Sequence, residues 1–399
     1  MQRCTEVLCP SQQWESQYEL CYTDQEKIDC RNPARGSIFR AGKDGGMDNS
    51  KDYSRNSEDY SRRSENPRSA ERDKEGEGMK RIAIVSNYGE VCGMAEYSKN
   101  MFEQLQEANY AVDVIRTCPL GDQHDVVFIN YHPAVVSFTP DDVRRMQSHG
   151  AKVALMVQES HGQHHVAGPQ DAMDIVDAVT AHEPMEITHY AGKKVPFHYV
   201  PHGLPEVEVK PYVAGDKPVF GTAGFAFPNK HMEVTIKAAL ATQGKALVIA
   251  PQHPAYDAHA MYQEWNSLGG SNLTLETRFL AQQQVVKMLA GCTATIYFAI
   301  EPEAPGQSGS SRMMAAARRP LILRHCPKTR TLLQYEDELY FVNSEDEVMQ
   351  SAAQIWKDVK ADREVKVPYR MLKDLSWKAT GKMYVDLVEE LWHKKAKGA

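Results

Sequence analysis

Residues 305–323, PGQSGSSRMMAAARRPLIL, are the part of the sequence that decides the fold. A loop of small residues (306–311) leads into an alanine-rich segment (313–317), and Pro320 then introduces a short apolar run (321–323). This order predicts a loop, a helix, a turn and a buried strand. Because the first N–H groups of a helix are unpaired and the helix dipole adds partial positive charge there, the segment suits a phosphate.

The local pattern has a second interpretation. An ordinary N-cap at Ser308 or Ser310 explains the same residues. Neither a GxxxxGK[ST] motif nor a GxGxxG motif is present to decide for a phosphate loop. The rest of the chain therefore has to distinguish the two.

Length and composition limit the class of protein. The chain has 399 residues, 42% of them hydrophobic, and no run reaches the roughly 18 consecutive apolar residues of a membrane span. The formal net charge is -7, and residues 1–78 hold 13 of the 46 Lys+Arg and 16 of the 53 Asp+Glu, which leaves 33 against 37 elsewhere. Neither part has the basic excess of a protein that binds a nucleic-acid backbone.

The 8 cysteines show no CxxC pair and no Cys/His ligand spacing. We therefore predict reduced thiols, no structural zinc and a cytoplasmic protein without an integral membrane segment. No secretory signal is visible after Met1 or Met79.

Residues 1–78 differ from the remainder, because they are rich in Ser, Asp, Arg and Asn and almost lack apolar periodicity. Such a segment cannot bury enough apolar surface to offset its ordering entropy, so we predict a disordered extension. A further hypothesis is that this extension is translated leader and that the natural start is Met79. Residues 74–76, KEG, can be encoded by a purine run that resembles a ribosome-binding site.

From Met79 onward the pattern predicts alternating strands and helices. The apolar run 81–85 suits a buried strand, and residues 94, 97, 101 and 105 share one face of a following helix. After the polar link 206–217 the same pattern restarts. Alternation of this kind predicts an α/β chain with two doubly wound parallel sheets. Strands are predicted at 81–85, 111–115, 125–130, 151–157, 178–181, 197–200, 219–222, 246–250, 273–275, 293–298 and 321–324.

The end of the chain predicts an amphipathic helix that needs a groove to pack in. Its apolar face consists of Trp377, Met383, Tyr384, Leu387, Val388 and Leu391.

Five patches of the sequence occur in the order typical of one family. They are CGMAEYSKN (92–100), VPHG (200–203), GTAGFAFPNK (221–230), QSG at 307–309 with the following PL (320–321), and SW (376–377). The first four resemble CGIAEYTRNL, IPHGV, GFLxPYKG and QSGVLAYALAYGKPV in retaining glycosyltransferases of the GT-B fold, family-4 type (glycosyl transferases group 1). The fifth resembles the start of their terminal helix. The resemblance extends from Met79 to about Trp392.

This resemblance implies an acceptor-side Rossmann-like domain at 79–205 and a nucleotide-sugar-binding Rossmann-like domain at 206–375. A terminal helix at 376–399 would pack back on the first domain. The implied activity is transfer of a sugar, with retention, from a UDP- or GDP-sugar to an acceptor hydroxyl on a glycan, a lipid-linked molecule or a nucleic acid. No cofactor and no metal are expected, since no DxD motif is present. The acceptor and the oligomeric state stay open.

The resemblance also assigns the donor site. The diphosphate would lie on the N–H groups around Ser308, Gly309 and Ser310, with Lys230 as a point charge. Gly93 would let the first helix begin close to the donor. The predicted donor-binding residues are Gly93, Gly224, Lys230, Glu301, Gln307, Ser308, Gly309, Ser310 and Arg312.

The predicted catalytic residues are Glu159, His161, Lys230 and Glu303. In the family, a histidine in the loop after the strand at 151–157 often contacts the donor sugar. The matching position here is Gln158, followed by Glu159 and, three residues after Gln158, His161, and the sequence does not decide which of them contacts the sugar. Glu159 or His161 could orient the acceptor hydroxyl or take its proton. Glu301 or Glu303 would supply a carboxylate that faces the sugar hydroxyls.

The sequence departs from the family pattern at two positions. Met313 stands where a glutamate grips the ribose, and Phe225 stands where an arginine often precedes the lysine. One of Arg312, Arg318 and Arg319 could replace that charge, and the sequence does not choose among them. Two alternatives therefore stay open: a degenerate protein that binds sugar nucleotides without turnover, and a phage-type transferase acting on DNA bases through basic pairs at 144–145 and 193–194.

Overall fold

A computed structural model of the chain describes residues 79–87, 92–131, 136–158, 172–184, 194–254, 256–300 and 307–398. All of them lie in one compact unit, Arg63–Ala399. The predictions for residues 1–78 and for Glu159, His161, Glu301 and Glu303 fall outside the described residues.

The first sheet has six parallel strands in the order β2-β1-β3-β4-β5-β6. Its central strands β3 and β4 are mostly apolar and are buried on both faces, as expected of a parallel sheet. The strands are β1 (Arg81–Val85), β2 (Ala111–Ile115), β3 (Val126–Tyr131), β4 (Lys152–Val157), β5 (Ala178–Ala181) and β6 (Phe197–Tyr199). The helices described in this half are α1 (Gly93–Glu107) and α2 (Pro140–Ser148).

The second sheet is also parallel, with the order β12-β11-β10-β7-β8-β9. Its strands are β7 (Val219–Ala223), β8 (Lys245–Ile249), β9 (Leu273–Glu276), β10 (Ala294–Tyr297), β11 (Leu321–Arg324) and β12 (Tyr340–Val342). Its helices are α3 (Glu233–Ala241), α4 (His259–Gly269), α5 (Gln282–Leu289), α6 (Gly309–Ala316), α7 (Glu345–Lys360) and α8 (Tyr369–Asp374). The 3-10 segments are Pro228–Lys230, Gly270–Asn272 and Pro327–Tyr335.

The predicted fold class, two doubly wound parallel sheets, is therefore confirmed. The first sheet lies within residues 79–205 and the second within 206–375. The sequence analysis named no strand at β12, which has three residues, two of them only half-buried.

Strand order changes direction between β1 and β3 in the first sheet and between β7 and β10 in the second. In open parallel sheets a crevice forms beyond the carboxyl ends of the strands at such a switch point. Helix α1 follows β1 and α6 follows β10. The topology therefore places the amino ends of both helices at the two crevices.

The chain ends in helix α9 (Trp377–Gly398), which packs on the first sheet's side of the molecule. Its predicted apolar face is buried against α1, β3 and β4, except for Met383, which is 39% exposed. At Gly381 a Cβ atom would lie 2.5 Å from the Cβ of Gln104, so the two helices approach closely only because this residue is glycine. The helix therefore lies against elements of residues 79–205.

Candidate functional site

Helix α6 begins where the sequence predicts an anion site. Ser308 is its N-cap, with an extended backbone, and the Ser308 hydroxyl accepts from the Ser311 N–H at 3.4 Å. The Ser311 hydroxyl donates back to the Ser308 carbonyl at 2.8 Å. Within the described part of the chain, no group accepts from the N–H of Gly309 or of Ser310. The first turn therefore offers two half-buried donors that the fold does not use.

The loop after β7 contacts this turn directly. Gly224 has φ +146°, and a Cβ atom there would lie 2.5 Å from the Ser310 hydroxyl oxygen. Only glycine satisfies both the backbone conformation and the close approach. Gly224 and Ser310, both predicted donor-site residues, are thus brought together at the switch point between β7 and β10.

Lys230 ends the 3-10 segment Pro228–Lys230 at the same edge of the second sheet. Its Nζ lies 3.5 Å from the hydroxyl of Tyr297, the last residue of β10, and 5.4 Å from the centre of that ring. The Ile300 N–H also donates to the Asn229 carbonyl at 2.8 Å. These contacts tie the lysine turn to the end of β10, from which the chain continues to α6.

Phe225 lies in an aromatic cluster at the carboxyl ends of β7, β8 and β9. Its ring stacks on Phe279 at 5.9 Å and 21°, and it meets the edge of His253 at 5.0 Å. Phe227 also contacts His253, at 5.1 Å. Burial lowers the pKa of His253, which keeps it neutral at pH 7. The position where the family often has an arginine is apolar and uncharged in this chain.

Met313, the other departure from the family pattern, packs with Val207, Val286 and Ala316. A thioether sulfur is at best a weak acceptor. The side chain contributes apolar packing under α6.

The structure gives Gln307 four hydrogen bonds to protein groups. Its Oε1 accepts from the His202 N–H at 2.9 Å and from Arg312 Nη2 at 2.6 Å. Its Nε2 donates to the His182 carbonyl and to the Thr331 hydroxyl, the latter at 3.2 Å. The amide therefore joins the first sheet's last loops to the residue before the α6 N-cap. These bonds leave little capacity for the predicted contact with a donor.

Arg312, in the second turn of α6, is only 1% exposed. Its Nη2 donates to Gln307 and, at 3.4 Å, to the Thr331 hydroxyl. Its Nε and Nη1 have no hydrogen-bond partner among the residues that the structure describes. Burial lowers its pKa to about 10, so it is charged at pH 7. Arg312 is thus a buried cation of which only one guanidinium nitrogen, Nη2, donates hydrogen bonds.

The other two candidate arginines lie beyond the opposite end of α6. Arg318 is exposed, in the left-handed conformation with φ +55°. Arg319 is 8% exposed and donates to the carbonyls of Ala290, Arg318 and Lys210 at 2.7, 3.1 and 3.0 Å. Of the three arginines, only Arg312 has its guanidinium near the amino end of the helix.

The sequence analysis missed a buried chain of hydrogen bonds across the carboxyl edge of the first sheet. It joins polar side chains at or just after the ends of β1, β3, β4 and β5, together with one side chain of α1, with distances of 2.5–3.1 Å from one to the next. Its last imidazole also contacts the carbonyl after β6, at 2.7 Å. The signal was a polar residue at the end of each strand. The members are Ser86, Ser98, Asn130, Gln158, His182 and the Val200 carbonyl.

Two histidines lie between this chain and α6, His182 buried and His202 half-buried. Burial lowers the pKa of His182 to about 4 and that of His202 to about 3, so both are neutral at pH 7. His202 Nδ1 lies 2.9 Å from the Gly203 carbonyl and donates to it. Its Nε2 is then an acceptor, and it would lie 3.6 Å from a Cβ atom at Gly309.

Gly93 is the first residue of α1, whose N-cap is Cys92, with Cys92 Sγ 3.4 Å from the Ala95 N–H. Of the residues that the structure describes, none has an atom within 4 Å of the place where a Cβ atom at Gly93 would lie. Further along α1, Asn100 donates to Gln282 of α5 at 3.2 Å, a direct contact between the two halves.

Among the described residues, no helix is long and apolar enough to cross a membrane. No group of three or more His, Cys, Asp or Glu side chains in that part of the chain is arranged to hold a metal ion.

No family model matches the sequence, and a comparison with curated proteins finds no match. Solved structures do match the fold. Sucrose-phosphate synthase from Thermosynechococcus elongatus has a TM-score of 0.59 at 13% identity, covering 79% of this chain and 100% of that chain. A glycosyltransferase from Rickettsia africae ESF-5 has a TM-score of 0.58 at 10% identity, covering 79% and 99%. HepE from Anabaena, in complex with UDP, has a TM-score of 0.52 at 10% identity, covering 80% and 99%.

These similarities define the fold of the chain. It is the GT-B fold, as predicted. At these identities the similarity concerns the fold alone.

Proposed function

We propose that this chain is a glycosyltransferase that moves a sugar from a nucleotide diphosphate sugar to an acceptor hydroxyl. The observation that carries the proposal is the pair of unused N–H donors at Gly309 and Ser310, at the switch point of the second sheet. A helix amino end with unpaired donors suits a phosphate. Support also comes from HepE, a protein of the same fold solved with UDP.

In this proposal the diphosphate is the leaving group, and negative charge develops on it as the bond to the sugar breaks. Groups that stabilise this charge more strongly in the transition state than in the ground state accelerate the reaction. The N–H groups of Gly309 and Ser310 would do so together with the Lys230 ammonium. Because these donors supply positive charge at the diphosphate, we propose that no divalent cation is needed.

The acceptor would approach from the first half of the molecule, past the start of α1 at Gly93. Retention of configuration is proposed on the sequence resemblance. So are the roles of Glu159 or His161 at the acceptor hydroxyl and of Glu301 or Glu303 at the sugar.

A second candidate function is binding of a sugar nucleotide without turnover. It is favoured by the aromatic cluster at Phe225 and by the apolar packing of Met313, because neither position offers a polar group to the donor. The DNA-base alternative has less support. Arg144 and Arg145 pair with Asp141 and Asp142 at 2.8 and 2.6 Å, so this patch carries little net charge.

The test incubates the full chain with a panel of UDP- and GDP-sugars, with and without EDTA, and measures release of UDP or GDP. We expect one donor to be turned over and EDTA to have no effect. Lys230→Met should lower turnover by about a hundredfold, the usual cost of losing one group that stabilises a leaving charge. The matched control is Lys245→Met, which should behave as wild type. Lys245 is exposed and is the first residue of β8, at the amino ends of the strands.

The outcomes separate the alternatives. Calorimetric binding of a sugar nucleotide with neither transfer nor hydrolysis would establish the second candidate. Complete loss of turnover in EDTA would contradict metal independence alone. If the chain neither binds nor turns over any sugar nucleotide, both candidate functions are contradicted.

A further inference from the structure

Arg312 is unusual in three respects. The residue is only 1% exposed, and burying an unpaired cation is costly. Two of its three nitrogens have no hydrogen-bond partner among the described residues. It also lies in the amino-terminal half of α6, where the helix dipole disfavours a cation.

The neighbours of Arg312 that the structure describes form no ion pair with it. Tyr199 and Tyr335 interact with it electrostatically, but burial raises the pKa of both, that of Tyr335 to about 12, so both are neutral at pH 7. His182 and His202 are neutral as well.

The described carboxylates of this region act on the tyrosines. Asp374 accepts from the Tyr335 hydroxyl at 3.5 Å, and Glu183 interacts with Tyr199. Arg312 has no ion pair within the described part of the chain. Among the residues that the structure describes, no carboxylate therefore pairs directly with this positive charge.

The position of that charge relates it to the start of α6. Gln307 Oε1 holds both the Arg312 guanidinium, at 2.6 Å, and the His202 N–H, at 2.9 Å. The same His202 ring faces Gly309, whose N–H is unused. The guanidinium thus lies behind the helix end that offers the free donors.

We propose that Arg312 is the fixed positive charge of an anion site at the amino end of α6, and that the bound diphosphate supplies its counter-charge. This inference rests on the proposed function and assigns a residue to it. The charge acts through a buried, low-dielectric region, where electrostatic attraction is stronger than in water. It takes the place of the arginine that Phe225 replaces.

The alternative is that Arg312 only holds Gln307 in place. The two explanations differ for the ligand-free protein. A buried charge without a counter-ion lowers stability, so an apolar side chain of similar length should be tolerated or even stabilising. A merely structural arginine should instead be needed for stability.

The experiment compares the full chain with Arg312→Met, Arg312→Lys and the matched control Arg319→Met. Affinities for UDP, GDP, inorganic pyrophosphate and uridine are measured by calorimetry at fixed ionic strength. Melting temperatures are measured without ligand. For Arg312→Met we expect affinity for the nucleoside diphosphate and for pyrophosphate to fall by about tenfold to a hundredfold, as for loss of a charged contact. Uridine affinity should not change, and the ligand-free melting temperature should not fall. Arg312→Lys should restore most of the affinity, and Arg319→Met should bind as wild type.

The inference is overturned if Arg312→Met binds pyrophosphate and the nucleoside diphosphate as wild type does. It is also overturned if that variant fails to fold or melts well below wild type without ligand. If neither UDP nor GDP binds the wild-type chain, the proposed function fails. In that case the affinity for pyrophosphate tests the anion site alone. The inference is also overturned if wild type and Arg312→Met bind pyrophosphate equally well, or if neither binds it.

Discussion

The two ends of helix α6 are built in opposite ways. Near its carboxyl end, the buried Arg319 donates to three carbonyl oxygens and lies 5.0 Å from the Tyr212 ring. Near its amino end, the more deeply buried Arg312 leaves Nε and Nη1 unpaired within the described part of the chain. The first end satisfies its own polar groups and contributes to stability. The second end leaves donors and a charge unsatisfied, which is the usual mark of a functional region.

Removing Arg319 should have the largest effect on stability. Arg319→Met leaves three carbonyl acceptors without their donors, so we expect the free energy of unfolding to fall by about 3 kcal/mol. Arg312→Met should change it by less than about 1 kcal/mol. Urea unfolding of both variants measures the difference. Equal losses would remove the distinction between the two ends.

A side chain at Gly224 should damage the amino end. Gly224→Ala places a Cβ atom 2.5 Å from the Ser310 hydroxyl oxygen at φ +146°, so we expect a loss of about 1–3 kcal/mol and weaker nucleotide binding. The control is Gly121→Ala, where a Cβ atom meets nothing within 4 Å. Thermal unfolding and calorimetry are the measurements. A variant as stable as the control would show that the β7 loop does not press on Ser310.

Acid should destabilise the protein through the two histidines beside the amino end. The pKa values of His182 and His202 are lowered by burial to about 4 and about 3, from about 6.5 in the unfolded chain. Below pH 6.5 the unfolded state binds protons that the folded state does not. Stability is therefore retained above pH 6.5 and lost as pH falls, by up to about 1.4 kcal/mol per pH unit for each histidine, until the folded pKa is reached.

Urea unfolding between pH 7 and pH 4 measures this slope. His202→Asn should reduce the slope of the unfolding free energy against pH by the contribution of one titrating histidine. A slope unchanged by that substitution would mean that His202 is not held neutral in the folded protein.

The start of α1 should be the most tolerant helix end. Gly93→Ala meets no atom of the described residues within 4 Å and adds a better helix former, so we expect stability to change by at most about 1 kcal/mol, in the stabilising direction. If Gly93 faces the donor, as proposed, turnover should fall although the variant is at least as stable as wild type. Unchanged turnover in the release assay would leave Gly93 as a simple turn residue.

The sequence predicted the parallel strands well, because buried strands are uninterrupted apolar runs. The predicted bounds of β2, β5 and β11 agree with the structure. It missed β12 (Tyr340–Val342) at the edge of the second sheet.

The site could be predicted only in part. The unpaired start of α6 follows from small residues before a helix, which is a local signal. The choice of Arg312 over Arg318 and Arg319 does not follow, because burial and partners depend on which way the helix faces. The buried chain from Ser86 to the Val200 carbonyl joins residues that only the sheet brings into line.

The central claim is that a diphosphate binds the first turn of α6. The most direct measurement is an experimental structure of the full chain with the nucleoside diphosphate that binds it. The account predicts diphosphate oxygens within hydrogen-bond distance of the Gly309 and Ser310 nitrogens, with Lys230 turned toward them. A diphosphate bound elsewhere, with those two N–H groups still unpaired, would contradict it.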